Sequence, residues 1–234
     1  MYEHINLITA IITPFNAENE IDYPALDRVI DHLLETGTQG LVIAGTTGES
    51  PTLSHEEKLA LTQHIATYVP VETLLIANAG TNNTAESVRN ARELSEIPNV
   101  DAILAVTPYY NKPNQRGMIA HFTAIADASN RPVMLYNIPG RSAVGLTVDS
   151  VVTLAQHPNI NAIKETTSVA FIAAEIEQTQ NDDFAVYTGE DAQTLAAFVH
   201  GGAGTISVAS HLYGRDMSAL VNALAVGDWQ EAGV

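Results

Sequence analysis

Apolar positions fall along the chain in two alternating kinds of stretch. One kind is a short unbroken run, rich in β-branched residues or alanine, at 8–13, 40–44, 73–78, 102–106, 132–136, 160–164, 184–188 and 204–208. Continuous runs of this length fit strands buried on both faces, as in a parallel sheet. The other kind is amphipathic, with apolar residues at helical spacing, at roughly 24–36, 55–69, 84–95, 116–129, 148–156, 169–179, 191–199 and 215–226. Two of these carry clear start signals: Ser54 with Glu57 reads as a capping box, and Asn83 with Glu86 as its asparagine form. Eight strand–helix alternations with short connections predict an α/β fold, a (β/α)8 TIM barrel. A doubly wound open sheet is the alternative, but no Gly-x-Gly-x-x-Gly follows the first run. No linker, low-complexity tract or charge block interrupts the pattern, so one barrel domain over 1–234 is expected. Near the end, Gly227-Asp228 reads as a helix stop and a new cap, and Trp229 begins a further helical pattern just before Val234.

Composition narrows the function. A 46% hydrophobic share supports a real core. The formal charge of −17 argues against nucleic acid and anionic membranes, which need clustered Lys and Arg. The absence of cysteine rules out disulfides and thiolate metal sites. No stretch approaches the roughly 18 apolar residues of a membrane span. The opening Met-Tyr-Glu-His shows no signal-peptide pattern, so a cytoplasmic protein is the expectation.

In this fold, chemistry sits at the C-terminal ends of the strands. Those ends carry mostly hydroxyls, with one lysine and one arginine, and no carboxylate pair of the glycosidase kind. Only three lysines exist, Lys58, Lys112 and Lys164. Lys164 closes an apolar strand. Desolvation there lowers an amine's pKa, and a neutral amine attacks ketones. The competing reading is a lysine turned outward or paired with Glu165. Lys58 is expected in the first turns of a helix, solvated. Tyr136 ends the neighbouring strand, within reach for proton transfer, or else is a core aromatic. The loop Gly45-Thr-Thr-Gly-Glu-Ser50 offers N–H groups and hydroxyls to a small anion, or is a tight turn. It lacks the Gly-Lys-Ser/Thr of a nucleotide-binding loop. Arg141 lies in a turn just past the fifth strand, either to hold a carboxylate or to sit in solvent. His200-Gly-Gly-Ala-Gly has no Gly-x-Ser-x-Gly partner and falls before the last strand. The eight histidines show no metal-like spacing, and no metal is expected.

Four motifs fall in order at the ends of strands 2, 4, 5 and 6: Gly45–Ser50, Thr107-Pro-Tyr-Tyr-Asn111, Leu135-Tyr-Asn-Ile-Pro139 and Ile163-Lys-Glu165. Together they resemble the dihydrodipicolinate synthase/N-acetylneuraminate lyase family along essentially the whole chain. The resemblance implies a pyruvate Schiff base on Lys164, with Tyr136 as general acid/base. Thr46 and Tyr110 would complete a hydroxyl relay, Tyr110 reaching in from a neighbouring subunit of a homodimer or homotetramer. Thr47 would bind the pyruvate carboxylate, Arg141 the carboxylate of a second substrate, and the backbone of Gly189 and Ile206 would line the lysine pocket. Thr46-Thr47 and Arg141 favour the synthase branch, which condenses pyruvate with aspartate semialdehyde in diaminopimelate and lysine biosynthesis and needs no cofactor. A sugar-acid lyase and a non-catalytic barrel are the alternatives. Ser50, His55, Asn82, Glu86 and Tyr109 resemble a regulatory lysine cleft, but Lys58 stands where lysine-inhibited synthases carry histidine, which implies weak lysine inhibition. The family's C-terminal helices are missing from this sequence, so Leu220, Val221 and Leu224 are expected to lose cover.

Overall fold

Strand parity explains the architecture. The computed structural model describes residues 2, 4–180 and 183–233. Eight parallel strands close into a barrel in chain order: β1 (Leu7–Ala10), β2 (Gly40–Ile43), β3 (Leu74–Asn78), β4 (Ala102–Val106), β5 (Val133–Asn137), β6 (Ile160–Glu165), β7 (Ala185–Thr188) and β8 (Gly204–Ser207). Closure comes from β1 pairing with β8, Ile8 opposite Ile206. Successive strand residues face opposite sides. One parity set fills the barrel interior: Ile8, Val42, Ile76, Leu104, Met134, Ala162, Tyr187 and Ile206 pack as one cluster. The other set, including Leu41, Ile43, Leu75, Ile103, Leu135, Ile163 and Val186, joins the larger core between strands and helices. Both faces are therefore apolar, which is why the runs read as continuous rather than alternating.

Nine α-helices lie among the described residues: α1 (Tyr23–Glu35), α2 (His55–Tyr68), α3 (Thr84–Ser95), α4 (Gln115–Ala128), α5 (Pro139–Ser142), α6 (Val148–Ala155), α7 (Val169–Thr179), α8 (Thr194–Val199) and α9 (Ser210–Ala225). Both start signals are present. Ser54 and Glu57 form the full capping box of α2, and Asn83 accepts from the N–H groups of Ala85 and Glu86 at the start of α3. None of these helices is long and apolar enough to cross a membrane.

The structure departs from the sequence expectations in several places. Residues 11–13 lie beyond β1, which ends at Ala10. The short helix α5 was not expected; Pro139 at its first turn supplies the fixed φ that starts it. Helix α9 begins at Ser210, not 215, because a kink at Tyr213 hides the first turn from the periodic pattern. Its inner face keeps its cover: Val221 and Leu224 are buried, the latter with Ala223 and Ala232. Ala232 belongs to a single 3-10 turn, Glu231–Gly233, whose first N–H is taken by the Asp228 carboxylate (3.1 Å).

Candidate active site

Lys164 shares the parity of Ala162 and points into the barrel, while Glu165 shares that of Ile163 and points out. Lys164 pairs in register with Tyr136 on β5, and its Nζ lies 4.6 Å from the centre of the Tyr136 ring. Both side chains are buried, each 5% exposed. Burial lowers the Lys164 amine to about 8; Asp191 and Glu190 pull it back up, and Arg141 pushes it further down. Near neutral pH a useful fraction of such an amine is unprotonated. Burial also raises the Tyr136 phenol, opposed by a hydrogen bond with the Thr46 side chain and by Arg141. A phenol held protonated beside an amine is placed to give and retake a proton.

Loop structure fixes the surrounding groups. Thr46 and Thr47 lie on the turn after β2, which closes with Glu49 N–H to Thr46 O (3.2 Å) and Ser50 N–H to Gly45 O (3.2 Å). The Thr13 hydroxyl donates to the Gly48 carbonyl (2.8 Å), and a Cβ on Gly48 would stand 2.9 Å from the Ile11 carbonyl. Only glycine lets the loop lie this close to the segment that follows β1. Arg141 sits on α5. The Ser142 carbonyl at the end of that helix accepts from the Tyr110 N–H (3.2 Å), tying the loops after β4 and β5 together. Tyr110 has a left-handed φ of 71° and a side chain 85% exposed. Gly189 packs against the lysine itself. A Cβ there would meet Lys164 Cε at 2.6 Å and Thr166 Cγ2 at 2.7 Å. Ile206 is fully buried in the interior cluster with Tyr136.

A cavity of about 530 Å³ opens over this centre, with Thr46, Tyr136, Arg141 and Tyr110 in its wall. Lys164 is not a wall residue; its amine lies against the Tyr136 ring. The arrangement is a buried amine, an adjoining phenol and hydroxyl, and a cation at the rim. It suits covalent capture of a ketone. A protein-family model described as the dihydrodipicolinate synthetase family matches residues 3–234. The chain belongs to that family. It is 97% identical to a 4-hydroxy-tetrahydrodipicolinate synthase of Leuconostoc citreum (strain KM20), over all of this chain and 80% of that protein. Among solved structures, dihydrodipicolinate synthase from Bacillus anthracis has a TM-score of 0.93 at 44% identity, covering 97% of this chain and 78% of that one. The chloride-inhibited synthase from Acinetobacter baumannii, complexed with pyruvate, has a TM-score of 0.93 at 37% identity, with 97% and 78% covered.

The positions that resemble the family's regulatory cleft separate into two groups. Ser50, Lys58 and Tyr109 share the wall of the cavity with Arg141. Lys58 corrects the expectation of a solvated side chain. It is only 8% exposed, because it belongs to the buried stripe Lys58, Leu61, Thr62 and Ile65 of α2. Burial lowers its amine, against the pull of Glu86. His55 turns elsewhere, contacting Asn90 Oδ1 (3.1 Å) and Glu93 Oε2 (2.6 Å). Asn82 donates to Asn111 Oδ1 (3.3 Å).

Sequence reasoning missed Glu190 and Asp191, whose charges act on Lys164 from the turn after β7. Their signal was their place, one and two residues past Gly189 at a strand end. Asn137 and Glu165 lie within the motifs, with Glu165 considered only as a partner for Lys164; the structure turns both away from the barrel interior and pairs them with each other (2.7 Å).

Proposed function

We propose that the chain works as a cytoplasmic 4-hydroxy-tetrahydrodipicolinate synthase in diaminopimelate and lysine biosynthesis, as one barrel domain with the site residues in the following roles. The observation that carries this reading is the buried Lys164 amine, lowered to about 8 and held against Tyr136. Neutral Lys164 attacks the pyruvate ketone carbon, and Tyr136 passes a proton to the departing oxygen. Water leaves and a protonated imine forms. The imine draws electrons from the methyl group, which gives up a proton to form an enamine. The enamine carbon bonds to the aldehyde carbon of aspartate semialdehyde. The amine of that substrate then adds to the imine carbon and expels Lys164, which closes the ring and frees the enzyme.

Thr46 hydrogen-bonds Tyr136 and links it to Tyr110 of a neighbouring subunit, which relays protons to solvent. Thr47 holds the pyruvate carboxylate through its N–H and hydroxyl. Arg141, at the cavity rim, holds the carboxylate of the semialdehyde. The backbone of Gly189 and Ile206 shapes the lysine pocket.

The test is trapping. The protein is incubated with pyruvate, reduced with borohydride, digested and mapped by mass spectrometry. Only three lysines can carry the adduct. Addition at Lys164, and ring product only when aspartate semialdehyde follows, is the expected result. A folded sample that takes no adduct at Lys164 would remove the reading.

A further inference from the structure

Glu165 is fully buried on the outer face of β6. Its carboxylate accepts from the Asn137 side-chain N–H (2.7 Å) and from the backbone N–H groups of Thr166 (2.7 Å) and Thr167 (2.8 Å). Asn137 follows Tyr136 on β5. Its backbone carbonyl accepts from the Thr166 N–H (3.2 Å) and hydroxyl (3.0 Å), and its Oδ1 accepts from the Leu146 N–H (3.0 Å), just past the turn that carries Arg141. In register, Asn137 opposite Glu165 is the pair next to Tyr136 opposite Lys164. One carboxylate therefore ties together the two strand ends that present the phenol and the amine.

A second carboxyl stands behind it. Glu175 on α7 is also fully buried, and neither of its oxygens meets an N–H or hydroxyl donor among the described residues. The group within hydrogen-bonding reach is the Glu165 carboxylate. Two ionised carboxylates in a dry site repel each other, whereas one shared proton turns the contact into a hydrogen bond. Burial raises both carboxyls, but three donors oppose it at Glu165 and none does at Glu175, so the proton belongs to Glu175. Glu165 is the one charged group acting on Glu175, and burial together with that charge pushes its carboxyl up to about 10.

We propose that Glu175 is a positioning residue for the Lys164–Tyr136 pair. As a neutral acid it donates a fourth hydrogen bond to the Glu165 carboxylate, which fixes Asn137 and so the two strand ends. This role rests on the Schiff-base reading of Lys164.

Two variants test it. E175Q keeps a donor and removes the titration; E175M keeps the volume and removes the donor. E175Q is expected to retain kcat within about threefold, while E175M loses about ten- to a hundredfold in kcat with little change in the pyruvate KM. The melting temperature supplies a readout independent of turnover. Native Glu175 holds a proton that the unfolded chain releases, so wild-type stability falls between the unfolded and folded pKa values. The melting temperature of E175Q relative to wild type is thus expected to climb steadily from about pH 6 to about pH 9. A difference that stays flat with pH, or equal kcat in E175Q and E175M, overturns the proposal. Should E175M not fold, the alkaline limb of kcat decides: wild type loses rate near pH 10, where Glu175 ionises, before E175Q does. Coincident limbs overturn the role. If wild type itself traps no pyruvate, the Schiff-base reading fails, and the melting series still reports on the carboxyl pair.

Discussion

At the scale of single residues, Lys164 owes its reactivity to being walled in, and its neighbours set the terms. Only the neutral amine attacks a ketone, so the rate of adduct trapping with pyruvate should rise with pH and level off near 8, not near the 10.5 of an ordinary lysine. A break close to 10.5 would mean a solvated amine. Gly189 is equally exacting. In G189A the added methyl would sit 2.6 Å from Lys164 Cε and 2.7 Å from Thr166 Cγ2. The variant is expected to lose about 1–3 kcal/mol of stability by denaturant melting, and its trapping rate should fall well below wild type. Lys58 makes a third case. It lines the cavity beside Ser50 and Tyr109, positions that resemble a regulatory lysine cleft, and in its protonated form it would repel an effector ammonium at close range by several kcal/mol, about 4 at 4 Å. Inhibition by lysine should be weak and should strengthen in K58H, as measured by the lysine concentration that halves turnover. Strong inhibition of the unaltered protein would contradict the charge argument.

At the scale of elements, helix α2 carries Lys58 and starts on a complete capping box. Replacing Ser54 by alanine leaves the Glu57 N–H without its side-chain acceptor, at an expected cost of about 1 kcal/mol and a melting point lower by about 2–4 °C. An unchanged melting point would show that tertiary packing alone sets that end. The elements were also the most legible part of the sequence. The runs at 102–106 and 40–44 give β4 and β2 to within one residue, because strands apolar on both faces leave no gap in the pattern. The strand ends then located Lys164, Tyr136, Thr46 and Arg141 without any structure. What stayed hidden was of two kinds. Short or kinked turns such as α5 and the start of α9 span too few residues for a helical period to show. Side-chain direction was the other: 58-61-62-65 is a helical stripe, yet the lysine in it was read as solvated because charge outweighed spacing. The Glu165–Glu175 contact joins β6 to α7 across the layer between strands and helices, and no local pattern marks which carboxyls meet there.

At the scale of the whole molecule, the strongly negative chain gathers Lys58 and Arg141 on one cavity, with Lys164 beside it, so anionic substrates meet local positive charge within a repulsive whole. Tyr110 poses the remaining question of assembly, since its side chain is almost wholly exposed in one copy. If it serves a neighbour's site, Y110F and K164A preparations, each inactive alone, should regain activity on mixing after subunit exchange. The hybrid then pairs an intact lysine with an intact partner tyrosine. No gain in a sample shown by sedimentation to contain hybrids would assign Tyr110 to its own subunit or to no role in the relay. The pairing of β1 with β8 has a consequence in time as well as in space. On the ribosome the first strand emerges long before its last neighbour, and until residues 204–207 arrive the sheet has two bare edges. The nascent protein must therefore carry an open, pairing-prone intermediate until β8 emerges, and the Thr9 hydroxyl, bonded to Thr38 at 2.7 Å, gains its second partner, Ser210 at 2.8 Å, only once α9 follows.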